Sequence, residues 1–211
     1  MLLLAGLLGA VGCSTRDFFF WKKPDIGTEF KSIAEAKASV DAVRNLALLD
    51  QQMAAMPAEV FGFAALERLT LRKNALVIIP PAINSLKRLV YLDLGHNKIT
   101  DLAAPLTDLA ALQTLYLSDN AITNIAPSIA RLAGVRYINL DGNKLTSIPA
   151  AVGQLKQLRW LRLNHNQLTT LPDEIRNLSG TLQRIYLRGN KFSDAEKERI
   201  KKMLSGCEVF F

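Results

Sequence analysis

The sequence has little of the side-chain chemistry that metal and catalytic sites are built from. Its 211 residues include two histidines, His96 and His165, and two cysteines, Cys13 and Cys207. Four such residues, scattered along the chain, supply neither the Cys/His spacing of a zinc site nor a disulfide-dense scaffold. No run of Lys and Arg marks a nucleic-acid arm, and no basic stripe alternates with aromatics as RNA-binding sheets require. The net charge of +7 is therefore diffuse, with its largest local excess over 182–211, and no nucleic-acid partner is expected. G-x-S-x-G, H-E-x-x-H, P-loop and G-x-G-x-x-G motifs are all missing, so neither catalysis nor a cofactor is expected. The uncharged run "MLLLAGLLGAVG" at residues 1–12 is too short to span a bilayer. Disorder is excluded too, because 49% of the residues are hydrophobic, enough for one domain with a sizeable core.

What is present is a period. From Asn74 the asparagines Asn97, Asn120, Asn143 and Asn166 recur every 23 residues, and Asn190 follows after 24. Gln51 stands 23 residues before Asn74. Leucine or a substitute keeps the same register: Leu89, Leu92, Leu94 and Ile99 around Asn97, then Leu112, Leu115, Leu117 and Ile122 around Asn120. A second half-motif recurs as "IIPPAINSL", "SIPAAVGQL" and "TLPDEIRNL".

The pattern L-x-x-L-x-L-x-x-N-x-L followed by x-x-L-P-x-x-I-x-x-L resembles the leucine-rich repeat family, in its Ras-group form. Seven units fit, 43–65, 66–88, 89–111, 112–134, 135–157, 158–181 and a shortened one from 182. The resemblance implies an α/β solenoid with a curved parallel sheet on its concave side and short helical or 3₁₀ turns on its convex side. It also implies a surface that binds proteins far more often than it catalyses. The residues themselves argue for the same geometry. Alternation in L-x-L sends both leucines to one side of a short strand. The Asn amide then satisfies backbone groups that would otherwise be buried unpaired. The i, i+3 spacing after the Pro suits a helical or 3₁₀ turn. One such unit cannot bury enough to stand alone, so neighbouring coils must supply the rest.

The ends need covers for the same reason. A capping helix is expected over 29–42, with Ser32 and Glu35 as its capping box. Residues 43–192 form the solenoid. A second cap is expected over 193–211, a helix started by Ser193 or Asp194 and then a closing strand that turns Cys207, Val209 and Phe211 inward. Upstream, Ala10-Val11-Gly12-Cys13 after an apolar run resembles a bacterial lipobox. That resemblance implies a signal peptide at 1–12, lipid on Cys13, and a tether at 13–28 in which Phe18 to Trp21 meet the membrane interface or the N-terminal cap. Ser14, where Asp would favour inner-membrane retention, makes the outer membrane the expected location. A cytosolic signalling scaffold and a glycan-binding envelope protein are the alternatives.

Both histidines sit one place before a ladder Asn, three repeats apart, which puts them about 14 Å from one another along the ladder. They cannot share a metal ion, and no metal site is expected. The positions between and beside the strand leucines fall in columns on the concave face. All four tyrosines lie there, Tyr91, Tyr116, Tyr137 and Tyr186, with Trp160, one of two tryptophans. Such residues bury large area while keeping a polar handle, as binding hot spots do. The expected partner surface is this cluster with Arg162, flanked by Arg68, Arg72, Arg184 and Arg188. The expected ligand is a protein or peptide, bound by a monomer.

Overall fold

The computed structural model describes residues 27–102, 106 and 108–211. The signal peptide, Cys13 and Phe18 to Trp21 lie outside the described residues.

Each repeat contributes one three-residue strand. These are β2 (Asn45–Ala47), β3 (Arg68–Thr70), β4 (Tyr91–Asp93), β6 (Thr114–Tyr116), β8 (Tyr137–Asn139), β9 (Trp160–Arg162) and β10 (Arg184–Tyr186). A two-residue strand, β1 (Glu29–Phe30), pairs with β2 at one edge, and β11 (Glu208–Phe210) pairs with β10 at the other. The sheet runs β1-β2-β3-β4-β6-β8-β9-β10-β11 and every pairing is parallel. Register is strict: Leu46, Leu69, Leu92, Leu115, Ile138, Leu161 and Ile185 are successive partners. A minor parallel pair, β5 (Asp101–Leu102) with β7 (Asn124–Ile125), forms where the chain leaves the sheet.

The opposite side is made of 3₁₀ turns at Ala58–Gly62, Pro81–Ser85, Pro127–Arg131, Ala150–Gln154 and Asp173–Leu178. Proline enters each at its N-cap or first residue, where a fixed φ helps and no N–H is needed. Between the two sides runs one continuous core. Leu69, Leu92, Leu115, Leu71, Leu94 and Leu117 have no exposed surface.

The asparagine row holds the coils together. Asn97 Nδ2 donates to the carbonyls of Leu94 and Gly95 in its own turn and of Leu71 in the previous coil. Its Oδ1 accepts from the Leu76 N–H. Asn74, Asn120, Asn143, Asn166 and Asn190 repeat this pattern, each bridging to the coil before. Gln51 departs from it, its longer side chain reaching the Lys31 carbonyl.

The N-terminal cap differs from the expected helix over 29–42. Glu29 and Phe30 are spent on β1, which covers the backbone edge that β2 would otherwise leave open. A helix follows only over α1 (Ile33–Lys37), with Ser32 Oγ accepting the Glu35 N–H, and a 3₁₀ turn covers Val40–Ala42. The capping box is displaced by one residue, since Glu35 Oε2 accepts from Lys31 N–H at 3.0 Å instead of from Ser32. At the other end α2 (Asp194–Met203) starts from Ser193, whose Oγ accepts the Glu196 N–H. Then β11 brings Cys207, Val209 and Phe211 against the core, half-buried.

Candidate functional site

Parallel register stacks the concave positions into columns. The first runs Glu29, Asn45, Arg68, Tyr91, Thr114, Tyr137, Trp160, Arg184, Glu208. The second runs Ala47, Thr70, Asp93, Tyr116, Asn139, Arg162, Tyr186, Phe210. Tyrosines in alternate columns lean together. Ring centroids are 5.6 Å apart for Tyr91–Tyr116, 4.9 Å for Tyr116–Tyr137 and 6.0 Å for Tyr137–Trp160, the last edge-to-face. These four rings form one unbroken lane across β4, β6, β8 and β9, each half-buried. Burial pushes the Tyr91, Tyr116 and Tyr137 hydroxyls above the ordinary phenol range, so all three are neutral donors at physiological pH.

A guanidinium group closes the lane at its Tyr91 end, and a second one lies over Tyr186 beside it. Arg68 lies 3.8 Å from the Tyr91 ring centroid, and Arg162 lies 4.8 Å from that of Tyr186. Burial works against the Arg162 charge, but the Asp141 carboxylate, 2.7 Å from Nε, outweighs it and holds the pKa above its usual value. Tyr186 in turn stacks flat on Phe210, with centroids 4.7 Å apart.

The expected residues therefore do not form one uniform patch. Tyr91, Tyr116, Tyr137 and Trp160 are brought together, and Arg162 with Tyr186 forms a second group beside them. Arg68, expected as an exposed basic flank, is only 3% exposed, covered by the Tyr91 ring. Arg184 is half-buried and paired with Glu208 at 3.0 Å. Arg188 is exposed, beyond the aromatic lane. Sequence reasoning missed Phe210 and Glu208, because the closing strand was read only for its inward residues. The alternation that turns Cys207 and Val209 inward also places Glu208 and Phe210 at the end of the columns. Asp93 was also passed over. It is 6% exposed, accepts from Gly95 N–H, and burial raises its pKa above the usual carboxylate range.

The histidines occupy a fixed backbone position. Lys73, His96, Asp119, Gly142, His165 and Gly189 all stand just before a ladder Asn with φ between 53° and 72°, the left-handed region. His165 leans over the next coil, where a Cβ on Gly189 would lie 2.5 Å from its Nδ1. His96 Nε2 sits 2.7 Å from Arg72 and 3.2 Å from Asp119. Among the described residues, no cluster of His, Cys, Asp and Glu could hold a metal ion. Burial pushes the Cys207 thiol up to about 11, which leaves it protonated and unreactive.

A leucine-rich repeat family model matches residues 64–122, 110–168 and 133–192. Among solved structures, a leucine-rich repeat protein of Leptospira interrogans is similar at 42% identity and a TM-score of 0.76, covering 82% of this chain and 44% of its own length. An internalin of Listeria monocytogenes shares the fold at 22% identity and a TM-score of 0.70, covering 86% of this chain and 53% of its own. The chain thus spans about half the length of both proteins. No curated protein matches it.

Proposed function

The chain belongs to the leucine-rich repeat family, and from that premise we propose that it is a non-catalytic adaptor binding a protein or peptide on its concave face. The observation that carries this reading is the aromatic lane, four contiguous rings that stay half-exposed on the concave side of the described residues. Members of this family commonly bind proteins or peptides. A second feature supports the same face. Among the described residues, the buried side-chain polar atoms lacking a hydrogen-bond partner are Asn45 Oδ1 and Trp160 Nε1. Both belong to the first concave column. Unpaired buried polar atoms are rare in native proteins, and the one within the lane is Trp160 Nε1, five strands from Asn45.

The decisive comparison is between the mature protein and a variant with Tyr137, Trp160 and Tyr186 all changed to Ala. A photo-crosslinking residue is placed at Asn139, half-exposed beside Tyr116 and Arg162, and for control at Ser85 on the convex turns. Crosslinking from Asn139 alone, to a discrete protein, is the expected result. Hot-spot residues of this kind cost at least about 2 kcal/mol each on truncation, so the triple change should weaken that complex at least a hundredfold. Unaltered capture by a folded triple variant rejects the reading. A glycan array separates the carbohydrate alternative, because sugar rings would stack on the same aromatics.

The location proposed with it is a bacterial envelope, with the chain acting as a lipid-anchored monomer in the outer membrane. Its support is the Ala10-Val11-Gly12-Cys13 lipobox and Ser14. Metabolic labelling with palmitate should mark the wild type and not Cys13→Ala. An unlabelled wild-type chain retaining Met1 would favour the cytosol.

A further inference from the structure

The family reading leaves one irregularity unused. The spacing from Asn166 to Asn190 is 24 residues where every earlier step is 23. The extra residue is absorbed at one place. The turn Asp173–Leu178 has six residues, against five in each of the four other such turns among the described residues. Ser179 then takes a helical conformation, and Leu182 N–H bonds back four residues to Leu178. The equivalent Leu66, Leu89, Leu112, Val135 and Leu158 all bond back three. This wider turn and the Gly206 corner of the C-terminal cap border an open hollow of about 320 Å³ on the flank of the solenoid, away from the concave lane. Gly206 closes one wall tightly, since a Cβ there would lie 2.9 Å from the Ser179 carbonyl.

The lining has one sign of charge. Lys156 and Arg159 face the cavity with Ser179, Thr181 and Gln183, and no Asp or Glu lines it. Lys156 Nζ donates one proton to the Asn177 carbonyl at 3.0 Å, which fixes the ammonium while leaving two protons to give. Arg159 has no side-chain hydrogen bond or ion pair among the described residues, whereas Arg162 and Arg184 on the neighbouring face each hold a carboxylate. Arg136 stands one coil away in the same register, its carbonyl accepting the Arg159 N–H.

We infer that this flank cavity binds a phosphate group, carried by a small phosphomonoester or by a lipid headgroup. A guanidinium fork and an ammonium converging on one hollow suit a tetrahedral dianion, and the Ser179 hydroxyl adds a neutral donor. The cavity lies at the small end of ligand-pocket volumes, enough for a phosphate with one attached sugar or glycerol unit.

The test is a ¹H–¹⁵N NMR titration of the mature chain. Inorganic phosphate and glycerol 3-phosphate are the soluble probes. Vesicles of phosphatidylcholine with and without phosphatidic acid are the membrane probe, read by co-sedimentation. The double variant Lys156→Gln/Arg159→Gln is compared with Arg88→Gln/Lys144→Gln, which removes the same charge elsewhere. Saturable shifts confined to amides of Ser179 to Gln183 and Gly206, at least tenfold weaker in the cavity variant only, establish the site with a soluble ligand. Selective loss of vesicle binding in that variant assigns it to a headgroup. Equal weakening in both variants, shifts scattered over the surface, or no response to any probe overturns the inference. Thermal unfolding of both variants within a few degrees of wild type confirms that lost binding is not lost fold.

Discussion

Asn143 satisfies four backbone groups with one amide, three carbonyls and the Ile122 N–H, and is 7% exposed. Changing it to Ala strands those groups in a dry interior. The expected cost is about 3 kcal/mol, measured by urea unfolding, because each unpaired buried group costs about 1 to 3 kcal/mol and the turn relaxes only in part. A second residue-scale test concerns the left-handed column. Gly189→Ala puts a methyl against the His165 ring at a φ of 72°, and should cost at least about 1 to 2 kcal/mol. Adding His165→Gly should recover the steric part and leave the backbone part; no recovery would mean that the ring can move aside. The ladder was readable because Asn has one side-chain geometry that reaches both coils. The left-handed column was readable too, from two glycines among six positions, yet the histidines drew attention to chemistry instead. The burial of Arg68 was not readable, because it depends on how the Tyr91 ring tilts.

At the scale of elements, the caps matter most, because each terminal coil lacks one neighbour. The C-terminal clasp centres on Arg199, which bonds Glu196, Asp173, Thr170 and the Leu171 carbonyl, tying α2 to the sixth repeat. Glu196 also accepts from Thr170 Oγ1 and the Leu171 N–H. The Arg199 hydrogen bond is the largest cause that lowers the Glu196 pKa, from 4.5 to about 2, with the Leu171 N–H next. A carboxylate depressed on folding stabilises above its unfolded pKa and loses that contribution as pH falls through its folded value. The protection factors of α2 amides, relative to the intrinsic exchange rate at each pH, should therefore fall between pH 4.5 and about 2. In Glu196→Gln they should be low already at pH 7 and lose most of that pH response; an unchanged profile would place the acid sensitivity elsewhere. The seven repeats and the columns of their strands were legible, since periodicity and register are the same fact seen twice. The 29–42 segment was not. Its pattern is helical, but the open edge of β2 competes for Glu29 and Phe30, and that demand exists only in the assembled sheet.

Taken whole, the molecule is a stack in which one repeated decision, leucine or isoleucine inward, is made seven times, and in five of the seven strands an aromatic faces outward and builds a surface. The lane of Tyr91, Tyr116, Tyr137 and Trp160 exists because parallel register keeps alternate columns in step. Stability in such a stack is nearest-neighbour, so a defect in the middle divides it while one at an end frays it. Asn143→Ala should thus broaden the unfolding transition and uncouple the halves, whereas the matching change at Asn74 should loosen mainly the first coil. The binding face depends on the middle coils being intact. Hydrogen-exchange footprinting of the complex captured from Asn139 tests this most directly. Protection is expected in β4, β6, β8 and β9 and absent from the convex turns at Pro127–Arg131 and Ala150–Gln154. Protection falling on those turns or on α2, with the central strands unchanged, would contradict a concave binding face.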